Sequence, residues 1–167
     1  MWKRNGVIEL SKIDVSLSKT LKLTNVLKVR CNIEKEDFDL NLIISRMQSY
    51  IRIKGAEQIG PLIQHTDVVL ENNGKVNISL VLMMQCNTIL HNVSEPYVME
   101  PEIKITDCMY CRYRGPEEKL KFAYDKLQIE AFEKDISLKR SSYTVFVSQS
   151  EEEIIVADIF MERENEL

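Results

Sequence analysis

The fold is indicated most clearly by the stretch Tyr110-Cys111-Arg112-Tyr113-Arg114-Gly115-Pro116-Glu117-Glu118, within which an extended segment is predicted to change into a helix. From Ile103 to Arg114, apolar and polar side chains alternate as they do in a half-buried strand. Pro116 suits the first turn of a helix, where its missing amide costs no hydrogen bond. The apolar face of that helix is predicted to be Leu120, Ala123, Tyr124, Leu127 and Ala131, and Phe132 could widen it.

Two further strands are predicted after this helix, from Tyr143 to Ser148 and from Glu153 to Met161, joined by the polar run Gln149 to Glu152. The second half of the chain therefore follows the order strand, helix, strand, strand. The first half has the same order at an offset of about 80 residues, which indicates an internal repeat.

The first copy begins with a strand predicted at residues 26–33. Asp37 or Asp39 then caps a helix that ends at Gly55 or Gly60. Its apolar face is Leu40, Ile43, Ile44, Met47, Tyr50 and Ile51. Two extended segments follow, Leu62 to Leu70 and Lys75 to Met84, and the turn Asn72-Asn73-Gly74 between them is typical of a hairpin.

The sequence thus predicts an α+β fold, with tandem βαββ repeats in one largely antiparallel sheet and both helices on one face. Residues 21–167 are expected to form a single domain. Its parts are repeat one (21–84), a linker with Pro96 and Pro101 (85–102), repeat two (103–162) and an acidic tail (163–167). Residues 1–20 form an N-terminal extension, in which Ile13, Val15 and Leu17 alternate as they would in an extra strand.

Composition excludes several classes of protein. The chain has 167 residues, 44% of them hydrophobic, which is enough for one domain with its own core. No uncharged apolar run approaches the roughly 20 residues of a membrane helix, and the first residues lack the apolar stretch of a signal peptide. Four cysteines without such a signal indicate reduced thiols, so we expect a cytoplasmic protein without a membrane partner.

Charge is divided unevenly along the chain. Residues 1–90 carry 12 Lys and Arg against 9 Asp and Glu, whereas residues 91–167 carry 10 against 17. The isoelectric point is near 5.4. Affinity for phosphate backbones comes mainly from clustered basic residues. Direct binding of nucleic acid is therefore not expected.

The stretch from Tyr110 to Glu118, with the helix that contains Ala123-Tyr124 and Leu127, resembles the strand, Gly-Pro and helix segment of the GyrI-like (gyrase-inhibitor-like) effector-binding domains. The segment 156–161 (Val-Ala-Asp-Ile-Phe-Met) is similar to their closing strand. The first half resembles the family more loosely, through its helix, Gly60-Pro61 and the strand from Lys75 to Met84.

This resemblance implies the tandem βαββ fold and a non-enzymatic, regulatory role in binding small molecules. Family members include the drug-sensing domains of multidrug transcription activators and free-standing gyrase inhibitors. The sensing members bind hydrophobic, often cationic compounds in a cleft between the repeats, through aromatic rings and a buried glutamate. The matching acidic position here is Asp158, one methylene shorter, and Glu162 stands where members commonly have proline.

The position of Asp158 on its predicted strand also suggests a functional role, independently of the family resemblance. Its same-face neighbours on a strand are Val156 and Phe160, so its carboxylate projects from an apolar row and must be paired or hydrogen-bonded. It could pair with a ligand cation, face water at a sheet edge, or bridge to Arg112 or Lys104. The predicted ligand-binding residues are Asp158, Phe160, Tyr110, Tyr143, Arg112 and Asn77.

Eight of the twelve aromatic residues lie between positions 103 and 160, so an aromatic pocket wall would belong mostly to the second repeat. The alternative is that these rings fill the core behind the second helix, which is the favoured interpretation for Tyr124 and Phe132. Tyr110 is the better candidate for a ligand contact, since it lies on the strand face opposite Tyr113.

Metal, cofactor and redox chemistry are not predicted. Cys108 and Cys111 have the spacing of half a zinc site, but residues i and i+3 of a strand point to opposite faces. Neither His65 nor His91 completes a ligand set. Phosphate-binding loops, HExxH and nucleophile elbows are absent from the sequence.

Three functions follow in order of preference. The first is a stand-alone, regulatory effector-binding protein for a hydrophobic small molecule, cationic or neutral, in a cleft between the repeats, with any DNA-binding part on a separate chain. The second is an interaction or inhibitor module that meets a protein partner through its acidic surface. The third is a hydrolase of reactive compounds that would use Asp158 with Tyr110, as a branch of the family uses a glutamate with a tyrosine.

Overall fold

The computed structural model describes residues 13–149 and 153–165. The chain divides into two compact units. The amino-half unit is Lys22–Lys104, and the carboxyl-half unit combines Met1–Leu21 with Ile105–Leu167. The strands are β1 (Val15–Cys31), β2 (Gln58–Leu70), β3 (Val76–Cys86), β4 (Tyr97–Pro116), β5 (Ser141–Gln149) and β6 (Ile154–Glu162). The helices are α1 (Leu40–Ile53) and α2 (Lys121–Glu133), with a 3₁₀ turn at Glu117–Lys119.

In the amino-half unit, β3 lies between β1 and β2 and pairs antiparallel with both. Helix α1 begins where Asp39 caps it, since its Oδ1 accepts a hydrogen bond from the Leu42 amide at 3.2 Å. The helix ends at Ile53, just before Gly55, which has a φ of +81°. Met47 and Ile51 of α1 are fully buried against the sheet. The core of this unit includes Leu27, Val29, Leu82 and Met84.

In the carboxyl-half unit, β6 lies between β4 and β5, again with antiparallel pairing. Alternation sends the odd-numbered side chains of β4 and β6 towards α2, whose buried residues recur every four positions. This core includes Met109, Cys111, Tyr113, Ala123, Leu127, Ala131, Ala157, Ile159 and Met161. The even-numbered side chains of the two strands therefore lie on the opposite face of the sheet.

The predicted α+β class with mostly antiparallel strands and two helices is confirmed for the described residues. That both helices share one face, and that the two units form a single domain, stay predictions. The polar run joining the last two strands was predicted at Gln149 to Glu152, and its residues 150–152 lie outside the described residues.

Several boundaries differ from those predicted. Strand β1 starts at Val15 rather than Val26, so Val15 and Leu17 of the extension belong to one long strand, and Ile13 precedes it. Strand β4 starts at Tyr97, inside the predicted linker, and it includes Pro101. Proline disfavours strands, which is why the prediction stopped short. Pro116 ends β4 rather than entering the helix, which begins five residues later at Lys121 after the 3₁₀ turn.

Phe132 does not widen the apolar face of α2. Its side chain is 85% exposed, whereas its neighbour Ala131 is buried. Successive helix residues are about 100° apart, so the position after the last core residue already points towards solvent.

Candidate functional site

Five of the six predicted ligand-binding residues lie in the carboxyl-half unit, and strand register brings them together. Tyr110 of β4, Phe160 of β6 and Tyr143 of β5 occupy one row across the three strands. Arg112 and Asp158 occupy the next row as direct partners. The four residues on β4 and β6 have even numbers and therefore lie on the sheet face opposite α2, and Tyr143 lies on the same face because it pairs with Phe160. We call this surface, defined by these five residues, the Asp158 face.

The Asp158 carboxylate has protein partners on both oxygens. Its Oδ1 accepts hydrogen bonds from Arg112 Nε at 2.7 Å and from the Tyr110 hydroxyl at 2.8 Å. Its Oδ2 accepts from the second guanidinium nitrogen of Arg112 at 2.9 Å. This is the bidentate geometry in which a planar guanidinium matches a carboxylate. Of the alternatives open from the sequence, the bridge to Arg112 is the one present.

The two members of this ion pair differ in exposure. The Asp158 side chain is 15% exposed, whereas that of Arg112 is 56% exposed. The carboxylate is thus held within the sheet surface while the guanidinium covers it from the solvent side. Water can reach Arg112 without any rearrangement of the strands.

The pKa values follow from these contacts. Burial alone would raise the pKa of Asp158, but the hydrogen bonds from Arg112 and Tyr110 and the charge of Arg112 outweigh it, so the pKa lies below its usual 3.8. Burial and the hydrogen bond to Asp158 raise the pKa of the Tyr110 phenol. The pKa of Arg112 is raised by the same carboxylate. At neutral pH the cluster is therefore one carboxylate, one guanidinium and one neutral phenol.

The aromatic residues form the second part of the site. The rings of Tyr110 and Phe160 are 5.0 Å apart and tilted by 46°. Phe160 and Tyr143 are each 8% exposed. The ammonium group of Lys19 lies 5.5 Å from the centre of the Tyr110 ring, a cation–π distance. Lys19 was missed from the sequence, since no local pattern connects a polar strand residue to a tyrosine about 90 positions away.

Asn77, the sixth predicted residue, belongs to the amino-half unit. It lies on β3 and donates a hydrogen bond from its side-chain amide to Glu71. A shallow groove of about 590 Å³ runs beside it, lined also by Arg30, Asn32 and Glu34. The hydrogen bond from Asn77 to Glu71 connects the two ends of the hairpin turn between β2 and β3.

The cysteines are unsuited to metal or redox chemistry. All four are free and buried. Burial raises the pKa of Cys108 to about 11 and that of Cys111 to about 12, so both stay protonated. Among residues 13–149 and 153–165, no cluster of His, Cys, Asp and Glu could hold a metal ion.

A cavity of about 470 Å³ in the carboxyl-half unit lies away from the Asp158 face, beside Asp107, Asp135 and Arg163. Arg163 is held there by its ion pair with Asp107 and its hydrogen bond to the Leu17 carbonyl. Neither helix of the described chain is long and apolar enough to cross a membrane.

No protein-family model matches the chain, and no curated protein matches it either. Solved structures are similar to it. EcmrR in a cryo-EM structure of its DNA complex aligns with 99% of the chain at 17% identity and a TM-score of 0.68, and the chain spans 62% of that protein. The crystal structure of the EcmrR C-terminal domain aligns with 93% of the chain and 99% of the domain, at 15% identity and a TM-score of 0.63.

A hydrolase from Listeria innocua aligns over 92% of both chains, at 8% identity and a TM-score of 0.57. At these identities the similarity is one of fold.

Proposed function

We propose that this chain is a non-enzymatic effector-binding protein of the GyrI-like kind, which takes up a hydrophobic small molecule at the Asp158 face. The observation that carries the proposal is the composition of that face. A largely buried carboxylate and the exposed guanidinium that pairs with it stand beside two packed aromatic rings, on the sheet face opposite α2. Apolar surface with a few placed polar groups is what small-molecule sites require.

The regulatory part of the proposal draws on the fold of EcmrR, which is present here over nearly the whole chain. EcmrR is found in complex with DNA. We propose that regulation by this domain involves a DNA-binding partner rather than direct contact of this domain with nucleic acid. The low isoelectric point supports this division of roles.

Binding is a better interpretation of the site than hydrolysis. A general base works best with a pKa near the working pH. The pKa of Asp158 is instead held below its usual value, and its lone pairs are engaged by Arg112 and Tyr110. The raised pKa values of the buried thiols also make them poor nucleophiles. We therefore assign the face to recognition and propose a cytoplasmic sensor.

A thermal-shift screen of hydrophobic aromatic compounds tests the proposal. A ligand at about 100 times its Kd stabilises the native state by about 2.7 kcal/mol, which raises the Tm of a chain of this size by about 5–10 °C. Tyr110→Ala should remove most of that shift. Phe132→Ala is the matched control, because it deletes an aromatic ring that is 85% exposed on α2. Hits that respond equally to both substitutions would refute the assignment of the site.

A further inference from the structure

We infer, resting on the function proposed above, that Arg112 sets the ligand class of the Asp158 face. Its guanidinium occupies the position that a cationic ligand would take. The face therefore binds uncharged aromatic molecules in preference to cationic ones of the same shape.

The carboxylate is the first of two features that could attract a cation, and it is already occupied. Arg112 donates one hydrogen bond to each Asp158 oxygen, at 2.7 and 2.9 Å, and the Tyr110 hydroxyl donates a third at 2.8 Å. A cationic ligand must break this bidentate contact before it meets the carboxylate. An uncharged ligand needs no such exchange.

The aromatic ring of Tyr110 is the second such feature. Lys19 already places its ammonium group 5.5 Å from the ring centre. The charges of Asp158, Arg112 and Lys19 together leave one net positive charge beside the rings. An incoming cation is repelled by this charge, whereas a neutral aromatic molecule can contact the Tyr110 ring without an electrostatic cost.

Arg112 is an exchangeable occupant and not a fixed part of the core. More than half of its side chain is exposed, so the guanidinium can move into water while Asp158 stays in place. When only a fraction of the protein molecules is in the binding-competent state, the apparent affinity for the ligand is reduced by that fraction. If the pair is open in about one molecule in ten, cation affinity is reduced about tenfold, or about 1.4 kcal/mol.

The test compares two probes of nearly identical shape that differ by one charge, phenyltrimethylammonium and tert-butylbenzene, by chemical-shift titration. The wild-type protein should bind the neutral probe at least about tenfold more tightly. Arg112→Met should shift the ratio of the two dissociation constants by about tenfold in favour of the cation. Arg112→Lys, which keeps the charge and loses the bidentate geometry, should give an intermediate gain.

Two variants identify the cause of that gain. Arg114→Met removes the same charge two positions along β4, from an exposed side chain on the same face, and should change cation binding by less than about threefold. Adding Asp158→Asn to Arg112→Met should abolish the gain, because the carboxylate that attracts the cation is then gone.

The inference is overturned if the wild-type protein binds the cation as tightly as the neutral probe. It is also overturned if Arg112→Met and Arg112→Lys leave cation binding unchanged, and in both cases a bound neutral probe leaves the proposed function standing. Failure of both probes to bind any variant, together with a screen without hits, would overturn the proposed function as well.

Discussion

Replacing Gly115 by alanine is expected to destabilise the protein by about 2–4 kcal/mol. Gly115 lies near the end of β4, and Tyr113 turns its ring back over it. A Cβ atom at position 115 would stand 2.6 Å from the Tyr113 hydroxyl oxygen and 3.0 Å from the carbon that carries it. Contacts under 3.0 Å are essentially never seen for real Cβ atoms.

The size of the effect follows from what holds Tyr113 in place. Its side chain is 5% exposed in the core beneath α2, and its hydroxyl donates to the Pro116 carbonyl at 2.6 Å. Moving the ring away from a new methyl group strains a packed core, at a cost of about 1–3 kcal/mol. It also breaks the hydrogen bond, which is worth about 1 kcal/mol.

Urea unfolding followed by circular dichroism measures this loss. With a slope of about 2 kcal/mol per molar urea, the midpoint of Gly115→Ala should fall by about 1–2 M. Arg114→Ala, a change at the exposed neighbouring residue, should alter stability by less than about 0.5 kcal/mol. This control distinguishes a clash between the new methyl group and Tyr113 from a general effect of substitutions in this part of β4.

A double-mutant cycle identifies the atom responsible. Tyr113→Phe removes the oxygen at 2.6 Å, so Gly115→Ala should cost at least about 1 kcal/mol less in that background. Additive effects of the two substitutions, or a Gly115→Ala midpoint within about 0.3 M of the wild type, would show that a clash with the Tyr113 hydroxyl is not the cause.

Three further predictions concern the rest of the protein. The folded-state pKa of Asp158 lies below 3.8, so its ionised form contributes stability above the unfolded pKa, and this stability is lost as pH falls through the folded value. In urea titrations from pH 7 to 2, the difference in unfolding free energy between wild type and Asp158→Asn should therefore shrink below about pH 4. A constant difference would contradict the ion pair. Leu127→Ala should cost about 2–5 kcal/mol in unfolding free energy and Phe132→Ala less than about 0.5, because the first side chain is fully buried and the second is 85% exposed; equal costs would mean that α2 is packed differently. A chromogenic disulfide reagent at pH 8 should label the four buried thiols slowly in native protein and rapidly in urea, and fast native labelling of Cys111 would contradict its burial and raised pKa.

The pattern of the chain was sufficient for the presence of the two helices and for the strand faces on which Tyr110, Tyr113 and Asp158 lie. Local rules work there, since Asp39 caps α1 and Met47 and Ile51 recur at helical spacing into the core. Strand alternation likewise predicted that Tyr110 and Tyr113 lie on opposite faces. The contacts of Asp158 were left open, because choosing between Arg112 and Lys104 requires the register of β4 against β6.

The contribution of β1 could not be predicted in the same way. Val15 and Leu17 alternate as in a strand, but this pattern does not show which residues the strand contacts, and Ser18 and Lys19 contact Asp107 and Tyr110 about 90 positions away. Such contacts depend on tertiary pairing rather than on local preference. Phe132 was misjudged for the opposite reason, since the buried face of α2 ends at Ala131, two residues before the helix ends.

The unequal exposure of the Arg112 and Asp158 pair makes the order of substitution during evolution matter. Loss of Asp158 first leaves a guanidinium that is 56% exposed and already solvated. Loss of Arg112 first leaves a carboxylate that is only 15% exposed and has lost its counter-ion, which costs more free energy. Related chains in which one member has drifted should therefore retain the arginine more often than the aspartate.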